Sequence, residues 1–142
     1  MSNKQEAIKS LNKLLQGEYM AIESFNNFIS RVKNENIKAA FQDIQKQHRD
    51  NTSVLAKYIQ NMGGKPEENL GLKGIMGNIK LNMELGSSMD YDIVKKAIEG
   101  ETKGVNMAEK VLRGNLDNES RNIAGDILKN DRELIKKLGE IK

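Results

Sequence analysis

Four stretches of the chain repeat apolar side chains at alternating spacings of three and four residues, and this periodicity predicts packed amphipathic helices. In residues 4 to 33 the apolar set is Ile8, Leu11, Leu14, Leu15, Ile22, Phe25, Ile29 and Val32. Asn34 and Asn36 offer caps for a second helix, which carries Ala40, Phe41, Ile44, Leu55 and Ile59 to about Met62 before Gly63-Gly64-Lys65-Pro66 ends it. A third runs from about Asp90 through Val94, Ala97, Ile98, Val105, Ala108, Val111 and Leu112 to Gly114. Asp117 and Asn118 open a fourth, with Ile123, Ala124, Ile127, Leu128, Leu134, Ile135, Leu138 and Ile141 on its apolar stripe.

The connections decide how these helices are arranged. The turns at 33–36 and 114–118 are short and force antiparallel hairpins, 4–62 and 90–141, whereas residues 63–89 are enough to travel the length of a bundle. Within that crossover Leu72, Ile75, Met76, Ile79 and Met83 predict a short extra helix. The expectation is a single all-α domain over residues 1–142. At 142 residues it is large enough to bury a core without disulfides or a structural metal.

The two hairpins resemble each other in sequence. Gln16-Gly17-Glu18 matches Glu99-Gly100-Glu101, and residues 43–50 match 126–133, aligning His48 with Asp131. Glu18 precedes His48 by 30 residues and Glu101 precedes Asp131 by the same 30, each pair symmetric about its own turn. With about 1.5 Å of rise per residue on both arms, the members of a pair lie at one level, facing across the hairpin. All four fall on apolar stripes, so three acids and the only histidine are expected to point inward.

Such a cluster is costly to bury. An unpartnered buried carboxylate costs several kcal/mol, so the acids must be protonated, hydrogen-bonded or neutralised by a cation. A lone histidine on an apolar stripe is ordinarily a hydrogen-bonded core residue, but the matched spacing weighs against that bland reading.

Other chemistries are excluded or poorly supported. There is no cysteine, which removes disulfides, thiol catalysis and zinc–thiolate sites. No apolar run is long enough for a membrane span or the core of a signal peptide, and a cytoplasmic location is expected. The 23 basic and 20 acidic residues are interspersed, and six aromatics supply no stacking stripe for nucleic acid. The seven methionines are scattered fillers rather than a copper site. Gly71, Gly74 and Gly77 lack the flanking strand and Gly-Lys-Ser/Thr of a phosphate loop, and Tyr19 and Tyr91 read as packing residues.

With Gly17-Glu18, Gly100-Glu101 and the helix-two histidine His48, the chain resembles the ferritin and rubrerythrin superfamily. The resemblance is greater to a bacterial family of small ferritin-like bundles carrying Gly-Glu, Gln-x-x-His, Gly-Gly-Lys-Pro and a terminal Asp-Arg. It implies a ferritin-like four-helix bundle with an inward metal site of Glu18, His48, Glu101 and Asp131, and with Gln45 as a second donor beside them. The superfamily's bridging carboxylates are replaced by Gln45 and Leu128, so the resemblance implies at most one divalent ion, Fe, Mn or Zn, in place of a paired-iron oxidase.

Two functional readings stand at this point. One is a metal-binding protein engaged in oxidoreductase chemistry or metal handling. The other is a non-catalytic structural or interaction bundle with a vestigial, metal-free site. Homodimerisation is an expectation common to both.

Overall fold

In the computed structural model, residues 3–68 and 89–141 are described. Among them are four helices and no strand: α1 (Asn3–Arg31), α2 (Glu35–Asn61), α3 (Asp90–Leu112) and α4 (Asn118–Gly139). They form a ferritin-like bundle in which α1 packs against both α2 and α3, and α3 against α4. The predicted crossover helix and Gly71, Gly74 and Gly77 lie outside the described residues.

The helix ends follow the local chemistry. Asn34 caps α2, its side chain accepting from the Ile37 amide at 3.0 Å, while Asn36, the other candidate, lies inside the helix. Asp117 caps α4 through the Ser120 amide at 3.5 Å. Gly63 takes φ +85, where L side chains are strained, and the Gly63 and Gly64 amides close the last turn of α2 on Gln60 and Ile59. Gly64 is required for a second reason: a Cβ there would lie 2.8 Å from the Ile8 side chain.

Both hairpin turns are held from outside themselves. Asp90, the first residue of α3, accepts from the Lys33 and Asn34 amides at 2.9 and 2.8 Å, tying the start of the second hairpin to the turn of the first. Arg121 of α4 donates to the carbonyls of Leu112, Gly114 and Leu116, bracing the end of α3 and the turn that follows it. Replacing Arg121 with alanine is expected to lower stability by about 1–2 kcal/mol, read as a reduced urea midpoint at unchanged slope. An unmoved midpoint would show that water serves those carbonyls equally well.

The core divides into two apolar clusters. One gathers Leu11, Leu15, Leu55, Ile59, Val105 and Ile127. The other contains Phe25, Phe28, Phe41, Ile44, Ile93 and Leu134, with edge-on ring contacts from Phe25 to Phe28 and Phe41 at 5.4 and 5.3 Å. Tyr19 packs half-buried against the first cluster, whereas Tyr91 is 71% exposed with the Lys95 ammonium over its ring, contrary to the packing role expected for it. Near the first cluster, buried Asn12 holds the chain leaving α2, donating to the Lys65 carbonyl at 3.1 Å and accepting from the Glu67 amide at 2.8 Å.

Candidate metal centre

The level between the two apolar clusters is polar. Each helix contributes one buried side chain: Glu18 from α1, His48 from α2, Glu101 from α3 and Asp131 from α4, none more than 5% exposed. The stripe analysis thus places all four inside the bundle.

His48 is the hub. Its Nδ1 lies 2.8 Å from Glu18 Oε1 and 3.6 Å from Asp131 Oδ1, and its Nε2 lies 2.6 Å from Glu101 Oε1. The expected facing of Glu18 with His48 and of Glu101 with Asp131 is met in the first hairpin, and the second hairpin's acids turn to the first hairpin's residues. Glu18 does meet His48, but Glu101 reaches across to the same imidazole from its far edge, and Asp131 joins Glu18. The cause is the ring: with donors on opposite edges, it reaches carboxyls of both hairpins at once.

Asn51, which sequence reasoning missed, completes the network. Its amide nitrogen donates to Glu18 Oε1 at 2.8 Å and Asp131 Oδ1 at 3.1 Å, and its oxygen accepts from Gln47 and Asn130. The signal was present in the stripe of α2, where the core positions between Ile44 and Leu55 are Gln45, His48, Asn51 and Thr52, all polar. Gln45 does not take the role expected of it. It donates to the Ile22 carbonyl at 2.9 Å and Asn26 Oδ1 at 2.7 Å, both on α1, because its amide reaches α1 one turn away from the cluster.

The electrostatics follow from burial and contact. Burial alone would lower His48, but hydrogen bonds to Glu101 and Glu18 and their charges raise it to about 11, so the ring is an imidazolium donating from both nitrogens. Burial pushes Asp131 up, the hydrogen bond and charge of Glu18 add to it, and the carboxyl reaches about 10; it keeps its proton and donates it to Glu18. Glu18 also feels the burial penalty, yet bonds from His48 and Asp131 and the imidazolium charge hold it below the usual carboxylate range.

Without any ion the cluster is therefore self-satisfied by protons. With those protons removed it offers another arrangement: one ligand atom each from Glu18, His48 and Asp131 lie within 4.8 Å of one another. His48 contributes Nδ1, the nitrogen that faces both acids, while Glu101 stands on the opposite side of the ring.

An all-helical bundle with an inward acid and histidine cluster on four different helices is a ferritin-like protein in fold. The chain belongs to the family described as a domain of unknown function, DUF2383, which matches residues 6–114. It is similar to a two-domain protein from Anabaena variabilis containing DJ-1/ThiJ/PfpI-like and ferritin-like domains, with 19% identity and a TM-score of 0.78; 97% of this chain aligns with 36% of that one. It is also similar to a dodecameric thioferritin, the bacterioferritin-related protein of Bacteroides fragilis, with 17% identity, a TM-score of 0.75, and coverage of 96% of this chain and 84% of that one. No curated protein matches. At these identities the likeness shows the fold.

Proposed function

We propose that the chain is a ferritin-like metal-binding protein holding one divalent cation, Fe, Mn or Zn, between Glu18, His48 Nδ1 and Asp131. The carrying observation is that three helices bring three metal-competent ligand atoms within 4.8 Å of one another in a buried site. Two carboxylate oxygens and one imidazole nitrogen suit a hard or borderline ion. Three protein donors leave coordination positions open, so a bound ion would supply Lewis-acid polarisation or, for iron and manganese, electron transfer.

The remaining residues have supporting roles in this reading. Glu101 accepts the Nε2 proton and so directs the Nδ1 lone pair at the ion, the usual carboxylate partner of a metal-bound imidazole. Asn51 fixes the rotation of the Glu18 and Asp131 carboxyls. With Gln45 and Leu128 where bridging carboxylates would stand, the reading is of a mononuclear site.

Elemental analysis of protein purified without chelator, then reconstituted, should give about one ion per chain, lost in the Glu18→Ala, His48→Ala double variant. Glu101→Ala should bind the ion about 10- to 100-fold more weakly, as expected for an orienting partner. Complete loss in that variant would make Glu101 a ligand, and no uptake by the native protein would overturn the proposal.

One observation favours the second reading, a metal-free structural or interaction bundle. Among the described residues no buried side-chain nitrogen or oxygen lacks a partner, so the cluster has no unmet demand for a cation. No helix among those residues is long and apolar enough to cross a membrane. The Bacteroides fragilis assembly supports self-association of this chain as well, which a monomer mass by light scattering would overturn.

A further inference from the structure

Between α1 and α3 lies a cavity of about 330 Å³, larger than an ion needs. Its floor is the polar cluster. Its walls are mainly apolar, formed by the buried rings of Phe25 and Phe28 and by half-buried Met20 and Met107.

Gly100 and Gly104 of α3 stand one turn apart among the lining residues. A Cβ built on either meets nothing within 4 Å. Glycine is among the least favourable residues inside a helix, and here neither lets another described element approach more closely. Their effect is to keep the α3 side of the cavity open beside Glu101.

The charge on the cavity floor is already matched. His48 is held between Glu18 and Glu101, and Asp131 and Asn51 are partnered, while the other ionic lining residues are half-buried Lys96 and exposed Glu99 and Lys103. A charged head seated on that floor would meet no free counter-charge and lose its hydration, whereas an uncharged one would exchange water for apolar contact along the walls.

We propose that this cavity binds a small uncharged molecule with an apolar body and one neutral polar head, admitted past Gly100 and Gly104 with its head toward His48 and Glu101. The inference goes beyond the metal-site reading and stands without it.

The two methionines provide the readout. The full chain, labelled with ¹³C at its methionine methyls, is titrated with 1-hexanol, hexanoate and hexylamine, with and without added Zn²⁺. Hexanol should shift the Met20 and Met107 resonances saturably and leave Met62, away from the cavity, in place. The two charged homologues should bind at least about tenfold more weakly. Gly104→Leu, which fills open space with a better helix former, should weaken hexanol binding by a similar factor or abolish it. Gly125→Leu, equally open on α4 but outside the lining, should not.

Three results would overturn the proposal: no saturable shift in either metal state, equal binding of all three homologues, or Met20 and Met107 shifts that follow protein concentration instead of ligand. The last would assign the glycine face to a second copy of the chain. Failure of Zn²⁺ uptake would count against the metal reading alone and leave the hexanol result to decide this one.

Discussion

Titration of the metal-free protein with Zn²⁺ or Mn²⁺ at pH 7 is expected to release about two protons per bound ion. One comes from His48 Nδ1, which must surrender its proton before it can coordinate, while Nε2 keeps the proton it shares with Glu101. The other comes from Asp131, which is protonated up to about pH 10 in the metal-free cluster. Below that pH the apparent affinity should rise about 100-fold per pH unit. Calorimetry in buffers of different ionisation enthalpy measures the proton count. Binding without proton release would mean that the ion sits elsewhere.

The same two groups set the pH dependence of stability without metal. His48 goes from 6.5 to about 11 on folding, so its contribution is complete below pH 6.5 and is lost as pH rises toward 11. Asp131 goes from 3.8 to about 10, so each rise in pH across that interval favours the unfolded chain, which loses this proton earlier. Glu18 acts the other way, its contribution present above its ordinary 4.5 and lost as pH falls. Metal-free protein should therefore be most stable in mild acid and weaken from pH 7 to 9.5. Saturating metal, which binds the deprotonated donors, should remove most of that alkaline loss.

His48→Ala is expected to destabilise the metal-free protein by about 3–5 kcal/mol, the range for removing one member of a buried ionic group. Without the imidazolium, the Glu18 and Glu101 carboxyls lose their shared donor while both remain inside the bundle. The opposite result is expected when the whole group is exchanged. Glu18→Met, His48→Leu, Asn51→Leu, Glu101→Met and Asp131→Leu together leave neither a charge to compensate nor the Asn51 amide without its acceptors, and should be neutral or stabilising by about 1–4 kcal/mol, with metal binding gone. Equilibrium denaturation of both variants tests this. A quintuple variant as damaged as His48→Ala would indicate that the loss is one of packing rather than of electrostatics.

The four helices were legible because their apolar stripes and turn residues agree at every level, from Asn34 and Asp117 as caps to Gly63 as a stop. The inward placement of Glu18, His48, Glu101 and Asp131 was legible for the same reason, since position on a stripe fixes the face and distance from a turn fixes the height. Which acid meets which was not. That depends on the rotation of an imidazole with two donor edges, and no periodicity encodes a side-chain torsion. Asn51 was hidden as an ordinary amide among many, although its place three residues after His48 put it on the same face. The cavity could not be read at all, because it is the space separating α1 from α3 less the volume of the side chains that line it, to which Gly100 and Gly104 add nothing.

The histidine hub also discriminates between hairpins that are similar in sequence. A second hairpin docked on a copy of itself would bury Glu101 and Asp131 twice over, four acids with no base. The first hairpin docked on its own copy would duplicate the imidazolium and face it with only two carboxyls. The pairing found within one chain instead sets a single base against acids from both halves. A one-turn slip would carry the ring about 5.4 Å into hydrocarbon. A base at the middle of the bundle that draws on acids from both halves thus disfavours swapped or slipped pairings, each of which would bury charge without its counterpart.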